Sequence, residues 1–317
     1  MANAYRLGLV EVGSNTIRYI VADFGDNISF VPVRIQTVKH GLHPARPTAE
    51  AVAAVNAQVA EFLRDSQGYA CRQVVAYGTA ACRSVQKALP GALDPRIRVL
   101  TPAEEAKAAW VAGFACTEQL PGTRCTVIDE GSGSTEIVSG LWTGSAIDDL
   151  AVYSEEIGSV MLVEAYNIQR KGHMAHVTTI LQKMVPHLTA SGIAEAAPGG
   201  QVFLVGGVAT SIGWLATKRT GMQEYNPAEI NGARVTLAEL DQFYRGLADL
   251  HRRDPSAARR MVDTRRGSDD HVLKVLSSLP YLILLANFLQ PSGTFFVSGY
   301  GVRHGMAYLI KNGLIEL

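Results

Sequence analysis

Two short glycine-hydroxyl segments, each set between apolar runs, limit what this chain can fold into. The first is Val10-Glu11-Val12-Gly13-Ser14-Asn15-Thr16. The second is Val127-Ile128-Asp129-Glu130-Gly131-Ser132-Gly133-Ser134-Thr135-Glu136. Each reads as strand, tight turn, strand. Glycine lets backbone N–H groups approach an anion closely, and Ser and Thr add donors. An acidic residue precedes each turn, placed to hold a metal ion or orient a water. The device recurs 118 residues on, from Gly13 to Gly131. A chain that builds it twice is expected to clamp phosphate between two similar halves.

The flanking pattern supports duplication. Leu7–Val10, Ile17–Phe24 and Ser29–Gln36 are expected as three successive strands, with a second turn at Gly25-Asp26-Asn27. Cys125–Asp129, Thr135–Gly140 and Ile147–Ser154 repeat the meander. Val52, Val55, Val59, Phe62 and Leu63 share one helical face, predicting an amphipathic helix over Ala49–Asp65. Gln73–Tyr77 and Arg96–Leu100 read as strands. Thr101-Pro102-Ala103-Glu104 carries a capping box for a helix running to about Glu118. Leu120-Pro121-Gly122 marks a domain boundary. Beyond it, helices are expected at Ser159–Asn167, His176–Ala190, Val208–Lys218, Leu237–His251, Ser256–Val262, Asp269–Leu289 and Gly301–Lys311, with strands at Val202–Val205 and Thr294–Val297. Strands alternating with helices after a meander define an α/β class.

At 317 residues the chain is long enough for two domains with their own cores. Basic and acidic side chains balance at 29 each, so no bulk field points to nucleic acid or a membrane surface. Cys71, Cys82, Cys116 and Cys125 form no C-x-x-C pair, which argues against structural zinc and suits a reducing compartment. The first ten residues show no basic segment followed by an apolar stretch, and Leu279–Leu289 is short for a bilayer span. A cytoplasmic protein is expected, with no nucleic-acid or membrane partner and with a homodimer open.

Further segments carry a resemblance. Gly78-Thr79-Ala80-Ala81-Cys82-Arg83 follows the first turn, and Ala103-Glu104-Glu105-Ala106 sits on a helix start. Gly206-Gly207-Val208-Ala209-Thr210 and Ser298-Gly299-Tyr300-Gly301-Val302-Arg303-His304-Gly305 follow the second turn. With the two turns, these six elements resemble, in order, the signatures of the exopolyphosphatase / guanosine pentaphosphate phosphatase family, in its short two-domain form. The resemblance implies two actin-like domains (ribonuclease H-like, of the sugar kinase, heat-shock chaperone and actin superfamily) flanking a cleft. The first spans 1–120, with the final helix 302–317 free to pack on it, and the second 121–301. It implies removal of terminal phosphate from inorganic polyphosphate or guanosine pentaphosphate, with magnesium or another divalent cation.

Phosphoanhydride hydrolysis needs charge neutralisation, an in-line water and a group to orient or deprotonate it. Glu105 matches the family's catalytic glutamate, against a bland reading as a first-turn glutamate on the helix dipole. Asp129 and Glu136 flank the second turn; a returning hairpin brings both carboxylates to one cation, which hard oxygen ligands suit. Glu11 is a third candidate metal ligand. Gly13, Ser14, Asn15, Thr79, Gly131, Gly133, Ser134, Thr135 and Gly207 are the expected phosphate contacts. Arg83 is the expected guanidinium for a terminal phosphate. Lys39-His40 and the pairs Lys218-Arg219, Arg252-Arg253, Arg259-Arg260 and Arg265-Arg266 could track a polyanion, although most such pairs are solvated helix faces. His173 and His176 read as ordinary surface or loop histidines.

The chain departs from the family pattern at four positions. Glu11 stands where the family has Asp. Glu130 and Ser132 replace an apolar residue and a glycine, and His304 replaces a common Glu. These departures keep open a phosphate- or nucleotide-binding regulator without catalysis. A small-molecule kinase of the same fold is the other alternative.

Overall fold

In a computed structural model, the described residues are 5–25, 30–43, 45–114, 121–144, 147–168, 173–197, 200–217, 227–262, 269–290 and 293–316. They form two compact units, Met1–Ala108 with Val302–Leu317 and Ala109–Gly301. The expected turn at Gly25-Asp26-Asn27, the helix end near Glu118, Leu120, Lys218-Arg219 and Arg265-Arg266 fall wholly or partly outside the described residues.

The first unit is built on a five-stranded sheet. Its strands are β1 (Tyr5–Val12), β2 (Thr16–Phe24), β3 (Phe30–Lys39), β4 (Gln73–Gly78) and β5 (Ile97–Val99), ordered β3-β2-β1-β4-β5. The first three form the antiparallel meander, and β4 and β5 add in parallel. A bulge shifts the β2–β3 register between Val21 and Ala22. Helix α1 (Ala49–Ser66) lies on one face of the sheet because Val52, Val55, Val59 and Phe62 recur on one side of it. They pack with Val10, Val12, Tyr19 and Val21, and Tyr19 stacks on Phe62 at 4.7 Å between centroids. Strand alternation places Glu11, between Val10 and Val12, on the opposite face. Thr48 caps α1, accepting from Ala51 N–H. Helix α2 (Ala80–Ala88) follows β4, and helix α3 (Pro102–Phe114) follows β5. The capping box at α3 forms as expected. Glu104 N–H donates to Thr101 Oγ1 (3.2 Å), and Thr101 N–H donates to Glu104 Oε2 (2.8 Å).

The second unit repeats the opening. Strands β6 (Thr123–Glu130), β7 (Thr135–Trp142) and β8 (Ile147–Glu155) are an antiparallel meander, and β9 (Gln201–Gly206) pairs in parallel with β6. Two short strands, β10 (Ala233–Thr236) and β11 (Thr294–Val297), complete the order β10-β11-β9-β6-β7-β8. Helices α4 (Ser159–Ile168), α5 (His173–Ala190), α6 (Ile193–Ala196), α7 (Gly207–Ala216), α8 (Pro227–Ile230), α9 (Leu237–Arg253), α10 (Pro255–Val262) and α11 (Asp269–Leu289) lie in this unit. Helix α12 (Val302–Lys311) belongs to the first. Residues 271–289 of α11 are long and apolar enough to cross a bilayer, yet 67% of the most apolar window is buried. Its Val272, Val275, Leu276, Leu279 and Leu285 pack in one cluster with Ile128, Ile137, Val202 and Leu204 of the sheet. That burial makes α11 a core helix of its unit.

Candidate functional site

The two turns close with the same bond. Gly13 N–H donates to Thr16 O at 3.0 Å, and Gly131 N–H donates to Ser134 O at 2.9 Å. Each leaves a two-residue loop between paired strands, Ser14-Asn15 in one unit and Ser132-Gly133 in the other. Ser14 and Ser134 are buried, and Gly13 and Asn15 are partly exposed.

In the first unit the groups expected to carry chemistry converge. Thr79 N–H donates to Val12 O at 3.1 Å, joining the end of β1 to the start of α2. Thr79 O then accepts from Cys82 and Arg83 N–H as the first turn of that helix. The turn presents Arg83, whose Nη1 donates to Glu105 Oε2 at 2.6 Å and to Leu100 O at 3.2 Å. Glu105 is supplied by the first turn of α3 and is buried, with 8% of its side chain exposed against 17% for Arg83. Burial pushes the Glu105 carboxyl up from the ordinary carboxylate range; Arg83 opposes that shift and the charge of Glu11 adds to it. Glu11 is buried and pairs with Arg18, directly opposite it on β2, at 3.4 Å.

Tyr77 was not among the residues singled out from the sequence. It lies opposite Glu11 in the β1–β4 register and is fully buried. Its hydroxyl has no hydrogen-bond partner among the described residues. Burial and the charges of Glu11 and Glu105 push its pKa well up, against Arg303 and Arg18. The hydroxyl stays protonated and is a neutral donor amid charged groups. The only sequence signal is its position two residues before Thr79. Cys82, beside Arg83, is buried, and burial pushes its thiol up to about 12, so it is a small core residue rather than a thiolate.

In the second unit Asp129 and Glu136 face each other directly across β6 and β7, both buried. Glu136 Oε1 accepts from Ser154 Oγ at 3.0 Å. Glu130, next along β6, is directed to α11, where Ser278 Oγ donates to its Oε1 at 2.8 Å. Burial and the charge of Asp129 push this carboxyl well up from the ordinary carboxylate range, with Ser278 and Lys274 countering. The added carboxyl is therefore engaged by α11. Gly206, with φ of 107°, caps α7 in a left-handed conformation that favours glycine. A Cβ there would lie 2.5 Å from Glu130 O and 3.0 Å from Asp129 Oδ1. Gly207 then opens α7 with no atom within 4 Å of the place its Cβ would take. The later Gly299 packs on Pro227, whose carbonyl oxygen would lie 2.0 Å from an added Cβ.

The second loop is held from behind by α4. Ser159 N–H donates to Gly131 O (2.9 Å) and Val160 N–H to Ser132 O (3.0 Å). Gly158 lies so close that a Cβ would come within 2.6 Å of Gly133 N.

His173 corrects one expectation; Thr135 and the Arg252-Arg253 pair are held by partners within their own unit. Thr135 is fully buried and its hydroxyl donates to Ile157 O at 2.7 Å, so its side-chain donor is engaged within the fold. His173 is not a surface or loop residue: it is buried at the start of α5, with Nε2 2.9 Å from Ser277 O. Arg252 and Arg253 pair with Asp249 on their own helix, as a solvated face does.

Among the described residues no three His, Cys, Asp or Glu groups gather as a metal site. The fit to magnesium is therefore to a pair of carboxylates. Asp129 and Glu136 are two hard oxygen donors directly opposite each other, and magnesium commonly takes one or two carboxylates with waters and phosphate oxygens. Glu11 is instead matched to Arg18.

Two α/β units, each led by an antiparallel meander with a Gly-Ser loop closing its first hairpin, define a protein built on a repeated opening. Residues 33–312 match the Ppx/GppA phosphatase family, and the chain belongs to it. It is 26% identical over 278 residues to Exopolyphosphatase 2 of Mycobacterium tuberculosis, covering 80% of this chain and 82% of that one. Among solved structures it is similar to an exopolyphosphatase from Cytophaga hutchinsonii, at a TM-score of 0.74 and 18% identity over 97% of this chain and 98% of that one. The Aquifex aeolicus Ppx/GppA family member gives a TM-score of 0.70 at 18% identity, covering 99% and 100%.

Proposed function

We propose that this chain hydrolyses terminal phosphoanhydride bonds, with inorganic polyphosphate as the leading substrate and guanosine pentaphosphate as the second. The observation that carries the reading is the Arg83–Glu105 pair at 2.6 Å, in the same unit as the first Gly-Ser loop. A phosphatase needs a guanidinium for the terminal phosphate and a carboxylate to orient and deprotonate water, and this pair supplies both. Burial raises the proton affinity of Glu105, the direction a base needs, and the Arg83 guanidinium opposes that shift. The Gly13-Ser14-Asn15 and Gly131-Ser132-Gly133 loops are the anion-binding elements. Asp129 and Glu136 would hold magnesium, which when bound supplies charge neutralisation on phosphate oxygens. The reading is also supported by family membership and by the exopolyphosphatase names of the relatives.

The test is phosphate release from long-chain polyphosphate and from guanosine pentaphosphate, each with and without magnesium. Release that depends on magnesium and stops in Asp129→Asn supports the reading. Ligand binding without release would make the chain a regulator instead. Transfer from ATP to a small acceptor would make it a kinase.

A further inference from the structure

The two loops share a closing bond but not a clamp. In the second unit a helix start takes the loop carbonyls: Ser159 and Val160 N–H reach Gly131 O and Ser132 O. In the first unit no helix begins there. Strand β3 ends at Lys39, and α1 begins only at Ala49. His40 occupies the place. Its Nε2 lies 2.8 Å from Gly13 O, and its own backbone N–H donates to Asn15 O at 3.3 Å. Gly13 and Gly131 are the matching residues of the two loops, so a histidine ring does for one what a helix N–H does for the other.

We propose that His40 is a positioning residue for the first phosphate loop, holding the Gly13 and Asn15 carbonyls so that the Ser14 amide is turned to the opposite side. The inference rests on the phosphatase reading for what the loop binds, though not for the geometry. A trans peptide is planar, with C=O and the next N–H pointing opposite ways, and the described residues contain no cis bond. Fixing Gly13 O on the His40 side therefore fixes Ser14 N–H away from it. An anion-binding loop gains from such fixing because its donors then need no reorganisation when phosphate arrives.

The ring is itself fixed. Leu42 N–H donates to His40 Nδ1 at 3.0 Å, so the ring proton sits on Nε2 and is donated to Gly13 O. Leu42 is buried in the core beneath α1, which anchors the strap. Burial pushes the ring's pKa down, in keeping with a neutral imidazole. The role differs from tracking a polyanion along the surface, the part open to the Lys39-His40 pair.

Three variants separate the two ring contacts. His40→Gln places an amide N–H near the Nε2 position, His40→Asn reaches only the Nδ1 position, and His40→Ala reaches neither. In Ala and Asn the KM for tripolyphosphate should rise roughly tenfold with kcat within about threefold, and Gln should bring KM back to within about threefold of wild type. Hydrogen exchange of the backbone amides at residues 13–16, measured on the substrate-free protein, should quicken in Ala and Asn but not in Gln. Exchange at residues 131–134 should stay unchanged in all three. A wild type that releases no phosphate would overturn the proposed function while leaving the exchange comparison to decide on His40. Unchanged exchange at residues 13–16 in Ala overturns the role of His40, as does restoration by Asn where Gln fails. If Ala does not fold, the Gln and Asn pair decides.

Discussion

Arg83 Nη1 donates to Glu105 Oε2 at 2.6 Å, across 22 residues of sequence. Two groups expected separately, one to bind phosphate and one to act on water, are partners. Each therefore sets the other's state: the guanidinium favours the charged form of the buried carboxyl, and the carboxylate orients the guanidinium.

Glu105→Gln should separate binding from chemistry. A Gln side-chain oxygen still accepts from Arg83, so the site keeps its shape and loses only its base. Turnover on polyphosphate should fall by about 10²–10⁴-fold, the usual worth of a general base. Tripolyphosphate binding, measured calorimetrically, should stay close to wild type. Unchanged turnover would remove Glu105 from the mechanism.

Arg83→Ala should weaken anion binding by about 1.5–3 kcal/mol, the worth of a charge-assisted contact. Arg83→Lys should recover part of it, because an ammonium lacks the planar fork. The pH profile carries a second signature. Arg83 favours the charged form of Glu105, so its removal raises the carboxyl's pKa. The acidic limb of kcat/KM should move to higher pH in the Ala variant. A limb that stays in place would mean that Glu105 is not the titrating base.

Glu130→Ile should change phosphate release by less than about threefold, an effect under ~1 kcal/mol. The carboxyl is directed to Ser278 on α11, and burial disfavours its charged form, so replacing it takes away no group that serves the loop. A large gain of activity from an inactive wild type would support a chain that has lost catalysis.

His173 gives a stability signature. Its Nε2–H is donated to Ser277 O, and burial lowers its pKa below the usual histidine value. The folded ring resists the proton that the unfolded chain accepts. Stability is thus fully present above the unfolded pKa and is lost as pH falls through it toward the folded value. The loss is at most about 1.4 kcal/mol per pH unit. Urea midpoints at pH 7.5 and at pH 5 should show a larger drop for wild type than for His173→Gln. Equal drops would refute the assignment.

The elements that the sequence made legible are those fixed by local rules. The buried face of α1 follows from spacing alone, at Val52, Val55, Val59 and Phe62. The cap of α3 follows from Thr101 and Glu104. The two loops are visible because glycine and hydroxyl residues interrupt apolar runs. What escaped depends on partners distant in the chain. Strand β10 is four residues long and exists through its pairing with β11, about sixty residues later. Helix α2 was not expected, its start hidden in a small-residue run. Glu130 meets Ser278 across 148 residues, and His173 meets Ser277 across 104. Neither the inward turn of His40 nor the buried hydroxyl of Tyr77 leaves a periodic trace.

The bulge in the β2–β3 pairing bears on how the chain fares when crowded with copies of itself. Strand β3 is an edge, and Val31, Val33 and Ile35 are 69%, 42% and 53% exposed on it. Such an edge would template a foreign strand and seed aggregation. Pro32 removes a donor within that stretch, the bulge breaks its even spacing, and Arg34, paired with Asp65 at 3.6 Å, sets a charge among the apolar residues. The irregularity that interrupts the ladder thus also guards the sheet against growing past its own end.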